Sequence, residues 1–82
     1  MKLNFTKQAA KYYEKAPKNL QEKYEEAFMN ILSGEGDICP MAGEVNVFRY
    51  KMFQYRIIFT IEIETETITI IKIGPRGDVY KK

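Results

Sequence analysis

Histidine and tryptophan are absent from this chain of 82 residues, and cysteine occurs once, as Cys39. Without histidine there is no imidazole to ligate zinc or to move protons near neutral pH, and a lone cysteine excludes an internal disulfide framework. Cys39 reads as a bystander. No stretch approaches the ~20 apolar residues that a membrane-spanning helix needs. The opening Met1-Lys2-Leu3-Asn4-Phe5-Thr6 carries none of the apolar run of a secretory signal. These absences predict a cytoplasmic protein with no metal, no small-molecule cofactor and no membrane partner. At this length residues 1–82 have room for a single domain with a small, efficiently packed core.

Acidic residues are missing from one long stretch, with none between Val45 and Ile61, and this makes the charge distribution more telling than the total of +2. Residues 1–44 hold six Lys against seven Asp or Glu, whereas residues 45–82 hold seven Lys or Arg against four acids. The basic excess of +3 belongs to the second part of the chain.

Periodicity divides that chain into two halves. Residues 2–5 form a strand candidate, and Thr6 is a plausible N-cap for a helix to about Lys15 with Ala9, Tyr13 and Ala16 facing inward. Leu20, Tyr24, Ala27, Phe28, Ile31 and Leu32 recur at helical spacing, with Pro17 suited to a first turn and Gly34 to a C-terminal cap. The two helices would form a hairpin whose apolar stripe seeks a sheet. Residues 34–43 are turn chemistry and read as a loop. Residues 45–52, 54–63 and 65–73 are rich in β-branched and aromatic side chains and read as an antiparallel β-meander. The expected fold is therefore α+β: a short N-terminal strand and a two-helix hairpin packed on an antiparallel meander.

Strand alternation then sorts the cations. Tyr55, Ile57, Phe59 and Ile61 make one apolar face of the middle strand, which sends Arg56 to the other. In the preceding strand Phe48, Tyr50 and Met52 point inward, so Arg49 and Lys51 point away from the helices. Gly74 and Pro75 are expected to end the last strand, bringing Arg76 and Tyr80 over the same face. Clustered guanidinium forks and ammonium groups suit phosphate recognition. Cations on such a face equally serve solubility, and Tyr80 equally serves as a core anchor.

The order of elements, together with Tyr55-Arg56-Ile57-Ile58-Phe59 and the closing Ile73-Gly74-Pro75-Arg76-Gly77-Asp78-Val79-Tyr80, resembles the RelE/ParE superfamily of toxins from prokaryotic toxin–antitoxin systems. The Gly-x-Arg stretch leading to a Val-Tyr pair is similar to the RelE branch rather than the ParE branch, which is known for poisoning DNA gyrase. The resemblance implies an endoribonuclease that enters the ribosomal A site, cuts messenger RNA and is neutralised by a cognate antitoxin.

Carried over by position, Arg56, Arg76 and Tyr80 match the family's two arginines and its closing tyrosine, and Arg49 and Lys51 fall on positions that are commonly basic. The chemistry implied is attack of a ribose 2′-hydroxyl on the adjacent phosphate, with Arg56 and Arg76 stabilising the phosphoryl charge and Tyr80 orienting or stacking on the nucleotide. Lys51 is the candidate base, because crowding by Arg49 and Arg56 favours a neutral amine. Tyr55 and Lys81 complete the expected RNA-binding set with Arg49 and Lys51. Val47 stands where the best-known sites of this type carry a second lysine, which predicts weakened proton transfer. Two other readings stay open: a ParE-like toxin that binds a protein target, and a relative that keeps the fold and the antitoxin contact without the chemistry.

Overall fold

The computed structural model describes residues 1–75. Strand β1 (Lys2–Phe5) leads into helices α1 (Lys7–Lys15) and α2 (Lys18–Ser33), followed by β2 (Ile38–Pro40), β3 (Val47–Met52), β4 (Tyr55–Glu62) and β5 (Thr67–Pro75). The strands form one sheet in the order β1-β5-β4-β3-β2, with β1 parallel to β5 and the other pairs antiparallel. This is the expected α+β arrangement, a helical hairpin lying on a meander.

Local chemistry accounts for the helix ends. Thr6 caps α1, its Oγ1 accepting from the Ala9 amide at 3.3 Å while donating to the Ile71 carbonyl of β5. Gly34 ends α2 in the left-handed region at φ 73° and satisfies the carbonyls of Asn30 and Ile31. Pro17 occupies the N-cap position of α2, where its missing N–H costs nothing.

The helices cover one face of the sheet. Ala9, Tyr24, Ala27, Phe28 and Ile31 pack against Tyr50, Met52, Ile57, Phe59, Ile68, Ile70 and Ile73. Aromatic rings seam the two layers: Phe5 meets Phe28 edge-on at 5.1 Å and Tyr24 meets Tyr55 at 5.9 Å between centroids.

Two expectations about the strands need correction. Residues 34–43 are not wholly a loop, since Ile38–Pro40 adds an edge strand to β3. Three residues are too few for alternation to announce them, and Pro40 is compatible with a strand only because it lies at the edge. β5 does not stop at Ile73 either; Gly74 and Pro75 belong to it and pair with Arg56 and Tyr55. In this register the nitrogen of Pro75 points away from β4, toward the side where β1 has already stopped, so no ladder hydrogen bond is lost. On that same side the carboxamide of Gln8 takes over from β1, accepting from the Ile73 N–H and donating to the Ile73 carbonyl, both at 3.2 Å.

Among the described residues no helix is long and apolar enough to cross a membrane.

Candidate nucleic-acid interface

The β3–β4 register decides which cations meet. Lys51 stands opposite Arg56, and Arg49 opposite Ile58, so all three project from the face without helices, as alternation predicts. Directly opposed residues on an antiparallel pair have Cβ atoms roughly 4.5–5.5 Å apart, which makes Lys51 and Arg56 immediate neighbours.

A fourth cation joins them. Lys72 pairs with Ile58 across the β4–β5 ladder and therefore shares their face. Strict alternation from Ile68 and Ile70 would place Lys72 in the core. A bulge after Ile58 on β4, with Ile71 as the extra residue of β5, reverses the remaining pattern so that Ile73 turns inward and Lys72 outward. The adjacent isoleucines in Ile70-Ile71-Lys72-Ile73 are the trace of this bulge in the sequence. Thr6 donates to the carbonyl of Ile71 and so helps to fix it.

The cations have different surroundings. Arg56 is only 5% exposed, and its Nη1 donates to the carbonyls of Phe53 and Tyr55, each at 2.8 Å. These bonds tie the guanidinium to the hairpin that joins β3 to β4. No Asp or Glu among the described residues forms an ion pair with it. Lys51 is more open, with 42% of its side chain exposed, and its Nζ lies 3.9 Å from a carboxylate oxygen of Asp37. Its backbone N–H donates to the Asp37 carbonyl at 3.0 Å, so the β2 edge holds the lysine at both ends. Cys39 pairs with Arg49 and its thiol lies 3.7 Å from Asp37 Oδ1.

Tyr55 is not brought to this face. It alternates with Arg56, projects toward the helices and packs on Tyr24. Val47, opposite Thr60, lies on the cationic face one alternate position beyond Arg49. Arg76, Tyr80 and Lys81 lie outside the described residues.

Tyr24, fully buried among these rings, has its phenol pushed well above the usual value by burial first, then by the neighbouring Tyr12 and Tyr55. Tyr13 is raised by its hydrogen bond to Glu25. Both belong to the helical layer rather than to the cationic face.

Residues 3–80 match the family model described as the ParE toxin of type II toxin–antitoxin systems. The chain belongs to that family, within the RelE/ParE superfamily. The toxin's fold is also that of solved RelE structures. The RelE of an archaeal RelE–RelB complex from Pyrococcus horikoshii is 26% identical, with 94% of this chain and 96% of that one covered at a TM-score of 0.75. A chain of a RelBE toxin–antitoxin complex from Mycobacterium tuberculosis is 25% identical, with 92% and 96% covered at a TM-score of 0.72. The isolated Escherichia coli RelE toxin, at 20% identity, matches in fold with a TM-score of 0.80 over 96% of this chain and 89% of that one. No curated protein sequence matches significantly.

Proposed function

We propose that this toxin is a ribosome-dependent endoribonuclease that cuts messenger RNA by attack of a 2′-hydroxyl on the neighbouring phosphate. The observation that carries the reading is the joint placement of Arg49, Lys51, Arg56 and Lys72 on the helix-free face. A phosphodiester in transit to a cyclic phosphate gathers negative charge on its non-bridging oxygens, and donors already fixed in place stabilise that charge without reorganising. Arg56 suits this role because two backbone carbonyls fix its orientation, while arginine has five N–H donors and these bonds are made through one nitrogen. Arg49 and Lys51 would hold the flanking backbone, and Lys51, which stands opposite Arg56, would exchange the 2′-hydroxyl proton. Arg76 as a second arginine on the phosphate, and Tyr80 and Lys81 as nucleotide contacts, complete the proposed site. The solved relatives that are complexes with RelB support a cognate antitoxin as the toxin's protein partner.

The matching family model is described as ParE, and this favours one competing reading, inhibition of DNA gyrase through protein contact. The two separate cleanly on expression in a growing bacterium. Messenger cleavage predicts cuts in translated messages only, ending in a 2′,3′-cyclic phosphate and a 5′-hydroxyl, with growth arrest abolished by Arg49→Ala combined with Lys51→Ala. Intact messages together with gyrase-dependent DNA breaks would sink it and establish the second reading.

A further inference from the structure

The β3–β4 hairpin closes on the Met52–Tyr55 pair with a loop of two residues, Phe53 and Gln54. Phe53, the first of them, has φ 55°, and Gln54 is not among the residues with positive φ. Such a turn ordinarily takes glycine at its first position, because a side chain there crowds the backbone. Phe53 is a bulky exception and does not repay the strain in core packing, since it is 73% exposed. An aromatic ring held in strained backbone, in water, beside a cationic face points to a ligand.

Its surroundings identify the chemistry. Lys23 of α2 sets its Nζ 4.7 Å from the centre of the Phe53 ring. Lys23, Glu26, Lys51, Met52 and Phe53 line an open notch of about 320 Å³ between α2 and the end of β3, beyond the last residue that β2 covers. The notch thus presents an aromatic ring, the Lys23 ammonium and one carboxylate acceptor, with Lys51 on its rim where β3 turns over to the cationic face. Arg56 bonds to the Phe53 carbonyl, so the ring and the buried guanidinium are parts of one turn.

We infer that this notch is a nucleotide subsite for single-stranded RNA, in which Phe53 stacks on a base while Lys23 holds the adjoining phosphate. This rests on the endoribonuclease reading, since the subsite shares Lys51 with the cationic face and extends the RNA path around the hairpin tip. Stacking on an exposed ring accepts any base, and Lys23 supplies the backbone attraction. Glu26 offers an acceptor to the donors on a base edge.

The chain has no tryptophan, so Phe53→Trp places a sole tryptophan at the subsite, excited selectively at wavelengths beyond the absorption of the six tyrosines. The probes are a nine-nucleotide single-stranded RNA, methylated at every 2′-oxygen to prevent cleavage, and an abasic strand of equal length. The RNA should quench the tryptophan saturably and the abasic strand should not. Phe53→Gly and Phe53→Asn, both able to take positive φ, should weaken RNA binding about ten-fold while leaving thermal stability equal or higher. Equal quenching by the abasic strand would overturn the inference. So would unchanged RNA affinity in both loop variants, or a loss confined to binding of the cognate antitoxin; these two results leave the endoribonuclease reading standing. Failure of the unsubstituted chain to bind the RNA overturns the inference and counts against the reading beneath it.

Discussion

Lys51 and Arg56 face each other across the β3–β4 ladder, yet only the lysine stands in water; the arginine is 5% exposed and bonded to two carbonyls of its own hairpin. Neighbouring cations on one face therefore have different structural weight. Arg56→Ala should cost about 2 kcal/mol or more, through lost charge-assisted hydrogen bonds and unpaired carbonyls. For a domain of this size that is a fall in melting temperature on the order of 10 °C. Lys51→Ala should stay within about 0.5 kcal/mol of the parent, as exposed substitutions do, and Arg49→Ala, at a half-buried position with an enclosed Nε, should fall between the two. Thermal unfolding of the three variants beside their toxicity would test this, and equal stability of all three would refute the assignment of Arg56 as a brace.

Asp37 sits on Lys51 at 3.9 Å, with 54% of its own side chain exposed, so the pair adds little to stability. It does place a negative charge beside the proposed phosphate path. Asp37→Asn should leave the melting temperature unchanged and tighten binding of single-stranded RNA by a few fold at low salt, with the gain shrinking as salt rises. Titrations at two ionic strengths provide the check.

Gln8 substitutes for a missing strand residue by holding both backbone groups of Ile73. Gln8→Ala strands that N–H and C=O and should cost about 1–3 kcal/mol in urea unfolding. Gln8→Glu keeps the acceptor for the N–H but loses the donor, so its cost should come from the Ile73 carbonyl. An alanine variant as stable as the parent would mean that water replaces the carboxamide fully.

Gly36 has φ +91°, and a Cβ there would meet Tyr50 Cε2 at 2.8 Å. The Tyr50 ring cannot simply swing aside, because its hydroxyl accepts from Asn30 Nδ2 at 2.9 Å. Gly36→Ala should therefore destabilise by about 1–3 kcal/mol, combining backbone strain with crowding. Loss of protection at the Lys51 amide, which donates to Asp37, is the local sign expected in hydrogen exchange.

Tyr24 predicts the alkaline limb of stability. Its folded pKa is raised above the ordinary value near 10, chiefly by burial, so the unfolded chain loses this proton first as pH rises. The stability it supports is complete below about pH 10 and drains away above it. Among the described residues the Tyr24 hydroxyl has no hydrogen-bond partner in good geometry. Tyr24→Phe should consequently be neutral or stabilising by about 1 kcal/mol at pH 7, and should flatten the decline above pH 10. Chemical denaturation at pH 7 and pH 10.5 separates the two effects.

Much of this architecture was legible before any coordinates. Thr6 and Gly34 mark helix ends through local hydrogen bonding and backbone freedom, and the period-two pattern of β3 and β4 puts Arg49, Lys51 and Arg56 on one face because side-chain direction in a strand is a local property. β2 escaped notice because three residues carry no period. Lys72 escaped because a bulge, fixed by pairing with β4 and capped by Thr6 from the other end of the chain, reverses alternation midway along β5.

The sequence by itself determined the α+β order and the face on which three of the cations stand, since both follow from spacing along the chain. Only the tertiary structure decided that Tyr55 serves the core, that Arg56 is buried against its own turn, that Lys72 joins the cationic face, and that Lys23 reaches Phe53 from another element. Burial, register and contacts between distant segments depend on what the rest of the chain brings alongside, and no local pattern contains that information.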